Sequence, residues 1–172
     1  MTMVADQYFA EFGLSSKTVS ERGLIAFQEA ELLEVAEVGK DGREHLLTPV
    51  AAKSWRLMKQ AATLDGESII IVSAYRSVSR QAKIIRARLK AGQKIDEIIE
   101  VFAPPGFSEH HSGRAVDVST PGILERHISF ESTTAFQWLR RNAERFDYRL
   151  SYPRGNARGY KYEPWHWLYG AA

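Results

Sequence analysis

The 172-residue chain contains no cysteine. Disulfide staples, thiolate nucleophiles and cysteine-based zinc sites are therefore excluded, and His, Asp and Glu remain as the strong metal ligands. No run of about 18 apolar residues is present, as a membrane span would need. An excess of one charge is missing too: 23 Lys+Arg against 21 Asp+Glu leave a formal net charge of +2, with the two signs interspersed. A nucleic-acid partner held by bulk electrostatics is not expected. Residues 1–20 lack the basic start, apolar centre and small-residue cleavage site of a secretory signal, so the sequence as it stands carries no expected export or anchoring segment.

What is present is ordinary for a globular protein: 44% hydrophobic, 26% charged and 11% aromatic residues, enough for one well-buried core in one domain. Residues 1–22 read as an N-terminal arm, with Val4, Tyr8, Phe9 and Phe12 on one helical face against the outside of a domain spanning 23–172. Leu24, Ile25, Phe27 and Leu32 suggest a short helix. The runs 33–38 and 44–47 flank Gly39-Lys40-Asp41-Gly42 and predict a hairpin. Thr48-Pro49 reads as N-cap and first helical residue, followed by Ala51, Trp55, Met58 and Ala62 at three- and four-residue spacing until Asp65-Gly66. The apolar run 68–73 is continuous and β-branched, which predicts a central strand buried on both faces. Further helices are expected over 79–91, around Ile95, Ile98, Ile99 and Phe102, and over 133–143. Further strands are expected over 115–119, 148–152 and 160–162. Together these give an α+β fold, a small and mainly antiparallel sheet with packed helices.

Two of the histidines, His110 and His166, stand in dense polar and aromatic surroundings. In Ser108-Glu109-His110-His111-Ser112-Gly113-Arg114-Ala115-Val116-Asp117-Val118 the chain leaves a Pro/Gly loop and enters a strand. Its period of two sets Val116 and Val118 against Ala115, Asp117 and Ser119. A carboxylate among valines is costly to desolvate unless a metal ion, an arginine or several donors meet it. In Tyr160-Lys161-Tyr162-Glu163-Pro164-Trp165-His166-Trp167, a carboxylate and an imidazole lie three residues apart, where a straight strand would put them on opposite faces. Pro164 must introduce a bend or start a helical turn if both serve one site. His110, Asp117 and His166 would give zinc three N/O ligands and leave a fourth position open to water, with Glu163 beside them as a proton acceptor, the arrangement of metal-assisted hydrolysis. His45 in the hairpin and His127 in a charged loop take ordinary surface roles, and His111 a solvent-exposed or supporting one. Arg80, Lys83, Arg86, Arg88 and Lys90 recur around a helix as its solvated face.

These motifs carry a family resemblance. The Ser-x-His-x-x-Gly-x-Ala-x-Asp pattern at Ser108, His110, Gly113, Ala115 and Asp117, the Glu-Pro-Trp-His at 163–166, and Ser73-Ala74-Tyr75-Arg76-Ser77 with Gln81 resemble the VanY-type D-alanyl-D-alanine carboxypeptidases. The wider group includes D-Ala-D-Ala dipeptidases, L,D-carboxypeptidases and phage endolysin peptidases. The similarity runs over about residues 47–169. It implies a zinc peptidase acting on the peptide stems of bacterial cell wall. His110, Asp117 and His166 would be the zinc ligands and Glu163 the general base; Arg76 would polarise the scissile carbonyl and stabilise the oxyanion, while Gln81 and Ser108 would touch substrate. Ala74, His111 and Ser151 stand where the commonest pattern has Gly, Gln and Arg. None of these removes a ligand or the base, and the Ser151 difference bears on substrate preference. The expectation is a monomeric zinc carboxypeptidase removing D-alanine from a peptidoglycan stem peptide or D-Ala-terminated precursor. An endolysin-type endopeptidase and a non-catalytic wall-binding module of the same fold are the alternatives. As written the sequence suits a cytoplasmic or phage-lysin setting, and a periplasmic or cell-envelope one if it has been trimmed.

Overall fold

A computed structural model describes residues 3–170. Helices α1 (Met3–Phe12) and α2 (Ser16–Glu21) precede a hairpin of β1 (Glu34–Val38) and β2 (Glu44–Leu47). Its connection closes through the Gly39 amide donating to the Arg43 carbonyl at 2.8 Å, and Gly42 takes the positive φ, 78°, that this turn requires. Helix α3 (Pro49–Leu64) starts with proline in its first turn, where the missing N–H would have had no partner. It buries Ala51, Ala52, Trp55, Met58 and Ala62, one stripe at helical spacing.

Strands β3 (Ile70–Ser73), β4 (Ala115–Ser119), β5 (Tyr148–Leu150) and β6 (His166–Tyr169) form a second, wholly antiparallel sheet in the order β3-β4-β6-β5. Val116 and Val118 pack into the main core with Trp55, Met58 and Leu139, the last from helix α6 (Thr134–Asn142). Helices α4 (Val78–Lys90) and α5 (Ile95–Ile99) bury Ala82, Ile85 and Ile98 in a smaller cluster. The mixed helix and sheet arrangement agrees with the α+β expectation. From the arm, Phe9 packs at 3% exposure in a cluster with Phe107, and Phe12 joins Ala82, Ile85 and Ile98; the Val4 side chain lies outside the described residues.

Four local expectations differ from the structure. Residues 24–32 are not helical. Their backbone bonds the loop leading to β4 instead, Phe27 to the Gly106 carbonyl and Ala30 to the His111 carbonyl. Ile25 and Leu32 are exposed, so their apolar spacing marks no buried face. Run 68–73 supplies β3, an edge strand of its sheet rather than a central one. It is covered because the β2 hairpin lies alongside, with the Tyr75 amide donating to the Leu46 carbonyl at 3.0 Å. Burial on both faces sets composition and does not report strand order. Residues 160–162 form no strand, and the strand expected over 148–152 ends at Leu150. The partner of β5 is β6, which begins at His166 inside the aromatic cluster.

Candidate active site

Strand β4 lies between β3 and β6, and the register sets Asp117 opposite His166 on one side and Ser73 on the other. Antiparallel pairing thus unites residues far apart in sequence, with His166 Nδ1 3.0 Å from Asp117 Oδ1. Before β6, the His166 amide donates to the Glu163 carbonyl at 3.1 Å, closing a turn around Pro164. This is the bend that one shared site required. It brings Glu163 Oε2 to 3.8 Å from His166 Nδ1. His110 comes from a 3-10 turn, Glu109–Ser112, that ends at Gly113 with φ 64°. A Cβ at Gly113 would meet Leu33 Cδ2 at 2.9 Å and Ala30 Cβ at 3.0 Å, so glycine is required both by conformation and by space. From this turn His110 Nε2 reaches 3.3 Å from Asp117 Oδ1.

His110, Asp117 and His166 each offer one donor atom, and these atoms lie within 4.8 Å of one another, all buried. The remaining ring nitrogens are both anchored: His110 Nδ1 at 2.7 Å from the Ala74 carbonyl oxygen, and His166 Nε2 at 3.0 Å from Glu109 Oε2. Two oriented imidazoles and a carboxylate, with outer partners fixing which nitrogen faces inward, are a donor set that fits zinc.

The electrostatics divide the polar groups by task. Burial pushes Glu163 up to about 7, and the neighbouring Asp117 charge adds to this, against the pull of His166. Burial lowers His110 to about 4, leaving it neutral at pH 7. Burial opposes charge on His166 as well, but hydrogen bonds and charges from Asp117 and Glu109 raise it to about 10. Asp117 is held well below the usual carboxylate range despite its burial. Charge and hydrogen bonding from His110 and His166 together outweigh that burial and keep it ionised. A metal ion would take the place of the His166 proton among the same ligands.

All the site residues expected from sequence line one cleft of about 320 Å³: Arg76, Gln81, Ser108, His110, Asp117, Glu163 and His166. Arg76 leaves the end of β3 and stands buried at 7% exposure, donating to Gln81 Oε1 at 2.8 Å and to Ser73 Oγ at 3.3 Å. Gln81 is fully buried on α4 and donates its Nε2 to the Ala103 carbonyl at 2.6 Å, so its amide is already committed on both ends. Ser108 opens the His110 turn on the cleft lining. Tyr152 stacks on the His166 ring at 4.7 Å between centroids, and its neighbour Ser151 donates its amide to the His166 carbonyl. The segment bearing the Ser151 difference therefore backs the cleft wall.

Sequence reasoning missed Glu109. It is 2% exposed and joins His166 Nε2 to Arg158 Nη1, the latter at 3.0 Å. The signal was an acidic residue directly before a candidate ligand, in a turn that buries both. His111 is neither a ligand nor exposed. Fully buried, its Nδ1 lies 2.6 Å from the Arg76 carbonyl oxygen and its Nε2 accepts from the Gly106 amide at 3.2 Å, tying the Arg76 loop to the β4 approach. His45 is also buried, at 6%, rather than on the surface, whereas His127 is exposed and caps a short turn through the Ser129 amide.

A buried His/Asp/His cluster with a carboxyl held near neutrality, on antiparallel strands flanked by helices, defines a metal-centre architecture of the hydrolytic type. The VanY family, D-alanyl-D-alanine carboxypeptidase, matches residues 44–172, and the chain belongs to this family. The putative carboxypeptidase YodJ of Bacillus subtilis (strain 168) is 36% identical over 124 residues, 69% of this chain and 44% of its own length. A D-alanyl-D-alanine carboxypeptidase of Enterococcus faecalis is 32% identical over 119 residues, 63% of this chain and 42% of its own. The chain spans less than half the length of these two relatives. Among solved structures, the LdcB LD-carboxypeptidase superposes with a TM-score of 0.75 at 30% identity, over 83% of this chain and 70% of that one. VanYB in complex with D-alanine-D-alanine gives 0.68 at 28% identity, over 86% and 82% of the two chains. A VanY D,D-pentapeptidase variant in complex with Zn(II) gives 0.67 at 28% identity, over 86% and 83%.

Proposed function

We propose that the protein is a zinc-dependent carboxypeptidase, acting as a monomer, that hydrolyses the terminal D-alanyl bond of a peptidoglycan stem peptide or D-Ala-terminated precursor. The observation that carries this reading is Glu163: a buried carboxyl held near pH 7, beside the His110, Asp117 and His166 donors and sharing their cleft with Arg76. The Zn(II) and D-alanine-D-alanine complexes of the relatives support the choice of metal and ligand.

His110, Asp117 and His166 would hold the zinc, which when bound supplies Lewis acidity to the water and the scissile carbonyl. Glu163 takes a proton from the water as its oxygen bonds the carbonyl carbon. It returns a proton to the amine nitrogen as the C–N bond breaks, so the carboxyl is regenerated unchanged. Arg76 donates to the carbonyl oxygen as negative charge develops there. Its guanidinium is pre-oriented by Gln81 and Ser73, so little reorganisation is needed at the moment of reaction. Gln81 acts through Arg76, and Ser108 offers its hydroxyl to the substrate from the cleft lining.

Both a D-alanyl-D-alanine carboxypeptidase and an LD-carboxypeptidase stand among the relatives, so the test uses muropeptides of both terminal linkages with zinc-loaded protein, read by mass spectrometry. Release of free D-alanine is expected. Cuts inside the stem without D-alanine release would replace this reading with an endopeptidase. Binding without any cleavage would replace it with a wall-binding module.

A further inference from the structure

The segment that matches the family begins at residue 44, yet a side chain well ahead of it reaches the rear of the metal site. Arg22 caps the C-terminus of α2. The Leu24 amide donates back to the Val19 carbonyl at 3.0 Å, a closed helix end that fixes where the Arg22 side chain leaves. Phe9 and Leu24 are buried with Ala103, Phe107, Tyr152 and Tyr160, so this turn is seated on aromatic residues of the cleft itself.

From there Arg22 joins two segments. Its Nη1 donates to the Ile99 carbonyl at 2.8 Å, at the end of α5, and its Nε donates to the Arg158 carbonyl at 3.0 Å. Its guanidinium carbon lies 4.6 Å from the centre of the Tyr160 ring. A planar guanidinium can donate in two directions while presenting a face to an aromatic ring, which a lysine ammonium cannot.

Two routes lead on to His166. Tyr160 packs on Tyr152 at 4.7 Å between centroids, and Tyr152 lies on the His166 ring at 4.7 Å with 23° between planes. Arg158, whose carbonyl Arg22 holds, donates to Glu109 Oε1 at 3.0 Å, and Glu109 Oε2 meets His166 Nε2 at 3.0 Å. One guanidinium therefore backs both the face of the imidazole and the carboxylate at its edge.

We propose that Arg22 is a positioning residue for the metal centre, holding the His166 ring from outside the family-matched segment through Tyr160 and Tyr152 and through Arg158 and Glu109. The role deepens the carboxypeptidase reading and rests on its metal site. An imidazole binds metal through a lone pair in the ring plane, so a tilted ring misdirects the donor even where the fold survives.

The test measures zinc affinity against a competing chelator, with the thermal midpoint of the same samples, for wild type, Arg22→Ala, Arg22→Lys and Phe12→Ala. Phe12 comes from the same arm but packs in a separate cluster with Ala82, Ile85 and Ile98. Arg22→Ala should weaken zinc affinity about five- to tenfold, below or at the lower end of what losing a direct outer partner costs. Arg22→Lys should recover only part of this, and it carries the test if Arg22→Ala does not fold. Phe12→Ala should lower the midpoint while zinc affinity stays within about twofold, since it removes no partner of a ligand. On a Glu109→Gln background Arg22→Ala should cost less than in wild type, because one of its routes is already cut. Zinc affinity untouched by the Arg22 variants, or lowered equally by Phe12→Ala, would overturn the proposal and leave the carboxypeptidase reading standing. A zinc loss specific to Arg22 in a protein that releases no D-alanine would do the reverse. No zinc binding by wild type would overturn both.

Discussion

Strand β4 meets two unlike environments within five residues. Val116 and Val118 face Trp55, Met58 and Leu139, all within a few per cent of complete burial, in an apolar core that needs nothing but shape. Asp117, on the opposite side, is equally buried but meets His110, His166 and, across the sheet, Ser73. Desolvation favours the first face and penalises the second, so the polar face persists only because each group has a charged or hydrogen-bonded partner. The core provides rigidity, and the site uses it to hold groups in arrangements that water would otherwise dissolve.

The comparison predicts that changes on the polar face cost function and changes on the apolar face cost stability. The largest effect falls on Glu163. Glu163→Gln keeps its shape and loses the base, so turnover should fall by about 10²–10⁴-fold while the thermal midpoint holds or rises. Steady-state kinetics and calorimetry on the same preparation check both halves. Trp55→Ala should instead lower unfolding stability by about 3–5 kcal/mol in denaturant titrations, leaving the residual folded fraction active. The Trp55 indole also donates to Glu37 at 2.9 Å, so part of that loss is this hydrogen bond, while Lys59 at 2.8 Å and the Ile71 amide still meet the carboxylate.

Arg76→Ala should lower kcat and kcat/KM together by about 10²–10³-fold, as loss of one oxyanion donor does. Arg76→Lys should recover little, because an ammonium cannot hold Gln81 and Ser73 while reaching the carbonyl. A loss confined to KM would make Arg76 a binding residue instead. Glu109→Gln keeps one hydrogen bond to His166 and removes the charge behind it; zinc affinity, measured against a competing chelator, should weaken by about 10–100-fold.

The smallest effect concerns pH. In metal-free protein Glu163 is raised to about 7 and His166 to about 10. A raised group stabilises below its unfolded value, about 4.3 for Glu and 6.5 for His, and that stability is lost as pH climbs through the folded value. Asp117 and Glu109 are lowered, so their contribution vanishes as pH falls below the carboxylate range. Denaturation midpoints of metal-free protein should therefore peak in weak acid and decline toward pH 10, and zinc should flatten the alkaline side. A midpoint rising steadily from pH 6 to 9 without metal would contradict the assigned roles.

The apolar face was the more legible of the two. Trp55, Met58 and Ala62 declare α3 by spacing, and 115–119 is a strand in both readings. Where apolar periodicity misled, backbone partners distant in sequence had decided the outcome, as with Phe27 and Ala30 on the Gly106 to His111 loop. The site residues were readable because their types and spacing carry chemistry, yet His110 and His111 are adjacent and chemically identical. Only the turn ending at Gly113 decides that one faces Asp117 and the other holds the Arg76 carbonyl. Glu109 escaped notice because its partners, His166 and Arg158, are far along the chain.

Metal content determined together with turnover is the most direct test of the central claim, that His110, Asp117 and His166 hold zinc while Glu163 performs the proton transfer. After zinc-replete purification, wild type and Glu163→Gln should each retain one zinc per chain by elemental analysis, although only wild type turns over, and His166→Ala should retain none. Zinc lost from Glu163→Gln in proportion to its activity, or kept by His166→Ala, would contradict the account.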